Sequence, residues 1–186
     1  MGQTNQEISG ELADFIRAQH VFFVATAPLS ADGHVNLSPK GLDTFRILSP
    51  RRVAYADMTG SGNETSAHLA ENARITLMFC SFNERPRILR IYGTGRTILR
   101  GDASWMDLAK EFEHHISLRQ IILVDITRVG TSCGFGVPQM QFMQERGMLE
   151  EWARKKGPNG LAAYRQERNT RSIDGLRTPL ADEQHS

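Results

Sequence analysis

A loop of small and polar residues, Thr59-Gly60-Ser61-Gly62-Asn63-Glu64-Thr65, follows the strand-like run RRVAYAD and leads into AHLAEN. Two glycines let backbone approach a ligand closely, and Ser61, Asn63 and Thr65 add short donors. A helix starting near residues 63–65 offers free N–H groups that attract an anion. The chemistry this suggests is phosphate binding; the plainer alternative is an ordinary turn with an Asn or Thr helix cap. The loop is not a P-loop, because no Gly-Lys-Ser/Thr follows, and it is not a GxGxxG dinucleotide loop. Asp57 and Met58, at the strand end entering the loop, join the candidate set.

Lys40 stands in Ser38-Pro39-Lys40-Gly41, at the end of another strand. A lysine held in such a turn can donate to a carbonyl oxygen or an anionic ring; its alternative is a surface lysine. Arg87, Arg90 and Arg96 lie in one long strand region. Arg90 and Arg96 share strand parity, and either can pair with a phosphate bidentately or simply face solvent. Ser132-Cys133-Gly134-Phe135-Gly136 is small, flexible and suited to lining a flat ligand. Nothing places a base beside Cys133 to make it a nucleophile. His114 and His115 lack a metal-ligand spacing such as HExxH, and no metal is expected. The basic positions Arg154, Lys155, Lys156, Arg165, Arg168 and Arg171 are interleaved with Glu150, Glu151 and Glu167, which reads as a solvated helical face.

The elements that position these residues follow from periodicity. Ile8, Leu12, Phe15 and Ile16 share one helical face in residues 6–19. Residues 20–27 and 34–37 read as a hairpin with a somewhat long loop around Asp32-Gly33. Further strands are expected at about 52–57, 74–80, 87–99 and 120–128, with Gly93 and Gly95 marking a bulge or sharp coiling. Six or so short strands joined by short links favour an antiparallel barrel or sandwich. Helices are expected at 65–71, 102–115 and 139–156, and a further one at 158–168. The last ten residues read as loose.

The chain has 186 residues, 40% apolar and 23% charged, which suits one soluble domain of ordinary size. A net charge of +1 gives no support to nucleic-acid binding. No apolar run approaches the ~20 residues of a membrane helix. The first fifteen residues do not read as a signal peptide, and two cysteines, Cys80 and Cys133, make no disulfide scaffold. The expectation is a cytoplasmic protein with no nucleic-acid or membrane partner.

Taken in order, NLSPKG, YADMTGSGNET, HLAENA, RITLMF and RILRIYGTGR resemble the FMN-binding split barrels of the pyridoxamine 5'-phosphate oxidase-like superfamily, over about residues 10–130. The resemblance implies a mainly β fold with peripheral helices, a six-stranded antiparallel split β-barrel, and FMN at a homodimer interface. It implies a split-barrel domain over residues 1–136, with a helical extension and tail over 137–186 packing on that domain or on the dimer partner. Lys40 matches the lysine that reaches the flavin ring, Thr59 the threonine at the strand-to-loop junction, and Asn63 a serine of the phosphate loop. Glu64 and Thr65 stand where the oxidase places Arg and Lys on the phosphate, and Ile88 replaces a Gln that touches the ring. The oxidase's C-terminal Trp and Arg-x-His signature is absent; residues 169–176, like SCGFGVP, resemble a subfamily distinct from the oxidase itself. The implied function is an FMN-dependent oxidoreductase acting on a small molecule. Its cofactor would be held by Ser38, Pro39, Lys40, Asp57, Met58, Thr59, Ser61, Gly62, Asn63 and Thr65, with Arg90, Arg96, Ser132 and Cys133 contributing. A non-catalytic flavin- or haem-binding module and a deazaflavin (F420)-dependent reductase stay open as alternatives.

Overall fold

The computed structural model describes residues 4–182. Eight antiparallel strands form one sheet: β1 (Thr4–Asn5), β2 (Phe22–Thr26), β3 (Asn36–Lys40), β4 (Phe45–Ser49), β5 (Arg52–Met58), β6 (Arg74–Cys80), β7 (Ile88–Ile98) and β8 (Leu118–Ser132). The order is β3-β2-β6-β7-β8-β5-β4, with β1 added on β8. The two end strands, β3 and β4, are joined by the short turn 41–44, so the sheet must curl until its open ends approach each other. This is a split barrel. It has two more strands than the six expected, the difference being the edge strands β1 and β4.

Alternation along the strands builds the core. Val24, Val53, Tyr55, Leu77, Leu89, Ile91, Ile122 and Val124 point inward, and Phe22, Phe45 and Phe79 stack edge-on or offset among them. Helix α1 (Gly10–Arg17) plugs this interior with Leu12, Ala13 and Ile16, and Ser9 caps its start. β8 is buried on both faces: Ile121 and Leu123 join Trp105, Phe112 and Ile98 in a second cluster. Burial of each such side chain contributes about 1.5–3 kcal/mol. The bulge expected near Gly93 is present, as a register shift between Tyr92 and Gly93 against β8. A Cβ at Gly93 would run into the Asp125 carbonyl, so the close approach there requires glycine.

Helix α2 (Glu64–Asn72) agrees with expectation. Three other expectations need correction. Residues 102–115 hold only a short α3 (Trp105–Ala109) and a 3₁₀ turn, Lys110–Phe112. The final helix, α4 (Met148–Arg168), starts nine residues later than predicted; Met140, Phe142 and Met143 ahead of it stay exposed and find no core to pack on. The division expected between 156 and 158 is present: α4 is two helices joined at Gly157, whose φ of 65° and ψ of 174° break the helical geometry ahead of Pro158. The tail was expected to be loose; to the extent it is described, it is packed, with Thr178 and Leu180 buried.

Candidate functional site

The barrel's split is where the chemistry-bearing residues meet. A cleft of about 330 Å³ is lined by Asn36, Ser38, Pro39 and Lys40 of β3, by Asp57 and Met58 of β5, by Gly60 to Thr65 of the loop, and by Arg119 of β8. Lys40 crosses the split and donates to Asp57 Oδ1 at 2.9 Å. Arg119 donates to Asp57 Oδ2 at 2.9 Å and Gln120 Nε2 donates to the same oxygen at 2.7 Å.

Neighbouring residues on a regular strand point to opposite faces, so Arg119 and Gln120 should not share a partner. A bulge resolves this. Asp57 pairs with Gln120 but Met58 pairs with Leu118, leaving Arg119 as the extra residue and turning its side chain onto Asp57. Arg119 is 4% exposed, Asp57 2% and Lys40 23%. Burial alone would raise the Asp57 carboxyl, but the Arg119 guanidinium and then Lys40 outweigh it and hold the group well below the usual carboxylate range. Two cations thus meet one carboxylate at the cleft floor, and a second carboxylate, Glu64, lines the same cleft.

The loop rises opposite this floor. Asn63 occupies the N-cap position of α2, yet its side chain makes no cap bond. Instead Asn63 Nδ2 donates to the Asn169 carbonyl at 2.9 Å, and its Oδ1 accepts from Gln120 at 2.7 Å. On the β3 side, Ser38 donates to Asn36 Oδ1 at 2.9 Å, and Asn36 Nδ2 donates to Thr26 (3.2 Å) and Thr65 (3.0 Å). Thr26 in turn bonds the buried His68 Nδ1 at 3.0 Å. This network fixes the direction of the Ser38 and Thr65 hydroxyls beside the cleft.

The end of α4 and the chain after it pack on the loop. Arg165 Nε donates to Thr59 Oγ1 at 2.9 Å, and Asn169 Nδ2 donates to the Gly60 carbonyl at 2.8 Å. The Glu64 carboxylate, which also lines the cleft, accepts the Ile173 N–H at 3.2 Å. Asp174 accepts from the His34 N–H at 2.8 Å and pairs with its ring at 2.6 Å. Arg165 therefore belongs to this assembly and not to a solvated basic face.

Of the fourteen residues proposed from sequence, the cleft gathers Ser38, Pro39, Lys40, Asp57, Met58, Ser61, Gly62, Asn63 and Thr65. Thr59 is fully buried beneath them, its hydroxyl donating to the Ser117 carbonyl at 2.8 Å. Arg90 and Ser132 bond each other at 3.3 Å on the β7–β8 pair, away from the cleft lining. Arg96 and Cys133 are exposed and do not line it either. The arginine in the cleft is Arg119, which sequence reasoning missed. Its signal was a lone charge inside the apolar strand LRQIIL, matched by Asp57 inside VAYADM: buried opposite charges in two strands call for each other.

The model of the family described as pyridoxamine 5'-phosphate oxidase matches residues 8–133. The chain belongs to the pyridoxamine 5'-phosphate oxidase family. The pyridoxamine 5'-phosphate oxidase family protein ustO of Aspergillus flavus is 38% identical over 190 residues, covering 92% of this chain and 75% of that protein. HupZ of Group A Streptococcus shares the fold with a TM-score of 0.54 and 23% identity, covering 66% of this chain and 91% of that one. A pyridoxamine 5'-phosphate oxidase-type protein of Lactobacillus delbrueckii gives a TM-score of 0.52 at 17% identity, covering 67% and 94%. Among the described residues, no helix is long and apolar enough to cross a membrane.

Proposed function

We propose that this member of the family is an FMN-dependent oxidoreductase acting on a small molecule, with the flavin phosphate in the cleft and the assembly a homodimer. The observation that carries the reading is the cleft itself: a buried Arg119 and Lys40 share one carboxylate and face the N-terminus of α2, whose cap residue is turned away. A buried guanidinium facing a helix N-terminus suits an anion. The residues fit a flavin phosphate better through Arg119, Lys40, Ser61, Thr65 and backbone N–H groups than through Arg90 or Arg96. Asn63 would act by shaping the loop, since both ends of its amide are already bonded within the protein.

Bound flavin would supply the hydride chemistry. The chain's own part is to bind and orient. Asp57 holds Lys40 at the cleft edge, where its ammonium can also donate toward the ring. The Asn36 network presents Ser38. Glu64 turns its carboxylate toward Ile173, which reduces its repulsion of an anion.

A second reading has one observation in its favour. Lys40 is already paired with Asp57, which blunts its charge, so a protein that only holds flavin fits the same geometry. Assay of the flavin-loaded protein with NADH and NADPH under oxygen separates the two: steady turnover supports the enzyme, and retained but inert flavin supports the holder.

A further inference from the structure

We infer that the C-terminal segment 165–174 is a clamp that sets the cofactor loop, with Asn169 as its main positioning residue. The inference takes its ligand from the flavin reading above, but the clamp itself rests on contacts within this chain.

Asn is among the best N-cap residues, and an unused cap forgoes helix stability. Asn63 is placed at the cap of α2 and does not cap it, because the Asn169 carbonyl and Gln120 take its amide. Asn169 is fully buried; its carbonyl also accepts from Thr178 Oγ1 at 2.6 Å, and its side-chain amide reaches Gly60. One residue of the tail therefore holds both ends of the stretch Gly60–Asn63. Arg165 fastens Thr59 before it, and the Ile173 N–H fastens Glu64 after it. The tail's own shape is built for this: Gly175, at a φ of 77°, closes a turn in which the Ser172 N–H donates to the Leu176 carbonyl at 2.9 Å. The clamp draws the capping side chain away from α2 and ties one Glu64 carboxylate oxygen to the tail, while the other oxygen rests against Gly62 of the loop. Glu64, where the oxidase carries a basic residue, serves here as the docking point of the tail.

The test compares wild type with Asn169→Ala in the full-length protein. Amide hydrogen exchange is read at residues 60–64 without ligand, and FMN and riboflavin are titrated separately. Riboflavin lacks the phosphate, so it reports on the ring alone. The clamp predicts faster exchange at 60–64 with β6 unchanged. It predicts about tenfold weaker FMN binding, the worth of one hydrogen bond, with riboflavin affinity unaltered. Unchanged exchange at 60–64 overturns the clamp, and so does a parallel loss of FMN and riboflavin. If wild type binds neither flavin, the flavin reading falls on its own, and the exchange difference still decides the clamp. Should Asn169→Ala not fold, Ile173→Pro, which removes an exposed residue's N–H donor to Glu64 while fixing its φ and restricting Ser172, is read the same way. Glu64 gives a further check. Glu64→Gln keeps an acceptor for Ile173 and is expected to tighten FMN, whereas Glu64→Ala is expected to lose that gain. Equal tightening in both would mean that Glu64 acts by charge alone and would remove it from the clamp.

Discussion

At the scale of single residues, Asp57 is the hub of the site. It takes Lys40, Arg119 and Gln120 at once, and no carboxylate could stay ionised so deeply buried without them. Its folded pKa is depressed, so its contribution to stability is fully present above the unfolded value of about 3.9 and is lost as pH falls from there toward the folded value. Asp57→Asn leaves two cations facing a neutral amide and is expected to cost about 3–5 kcal/mol at neutral pH. Urea unfolding of both proteins should show that gap shrinking as pH drops below about 4; a gap that stays constant down to pH ~3 would contradict the assignment. Lys40→Ala tests the other arm. Loss of one charged donor is expected to weaken FMN binding roughly ten- to hundredfold and to lower the flavin potential. A titration and a potential both equal to wild type would exclude Lys40 from the cofactor.

At the scale of elements, most of the barrel was legible because its strands alternate cleanly and its turns carry Gly and Asp. β4 was not. FRILS is a short edge strand with an arginine in it, only partly buried, and its pattern is too brief to stand out beside Pro50. The bulge at Arg119 was also invisible, since no glycine marks it and the register shift exists only against β5. Without the bulge, strand parity would turn Arg119 and Gln120 to opposite faces. The stagger in α4 has a local cause that a single substitution can test. Gly157 sits at a φ and ψ that only glycine adopts readily, and open space surrounds it. Gly157→Ala is therefore expected to cost about 1–3 kcal/mol from backbone strain alone. Because Arg165 lies on the second half of this helix and Asn169 caps it, calorimetry should show the loss of stability together with weaker cofactor retention. An unchanged melting temperature would contradict the strained geometry.

At the scale of the whole molecule, the site is assembled from the end strand β3, from β5 and β8 in the other half of the sheet, and from the loop that the C-terminal tail holds. Residues far apart in sequence, Lys40, Asp57, Arg119 and Asn169, must all be placed before the cleft exists. The fold and the loop could be read ahead of the structure because they are local patterns; the charge pairing across the split and the tail's return could not, because they are set by closure of the sheet. Light scattering is expected to give twice the mass of the chain, in keeping with the homodimer proposed; a monomer that still binds flavin would confine the site to one chain. The measurement that bears most directly on the central claim is flavin retention. The purified protein is incubated with FMN or with riboflavin, desalted, and examined by absorbance and by mass. Retained absorbance near ~450 nm with an FMN mass is expected, and much weaker retention of riboflavin, because Arg119, Lys40 and the loop donors hold the phosphate. A colourless protein after FMN, or equal retention of both flavins, would contradict it.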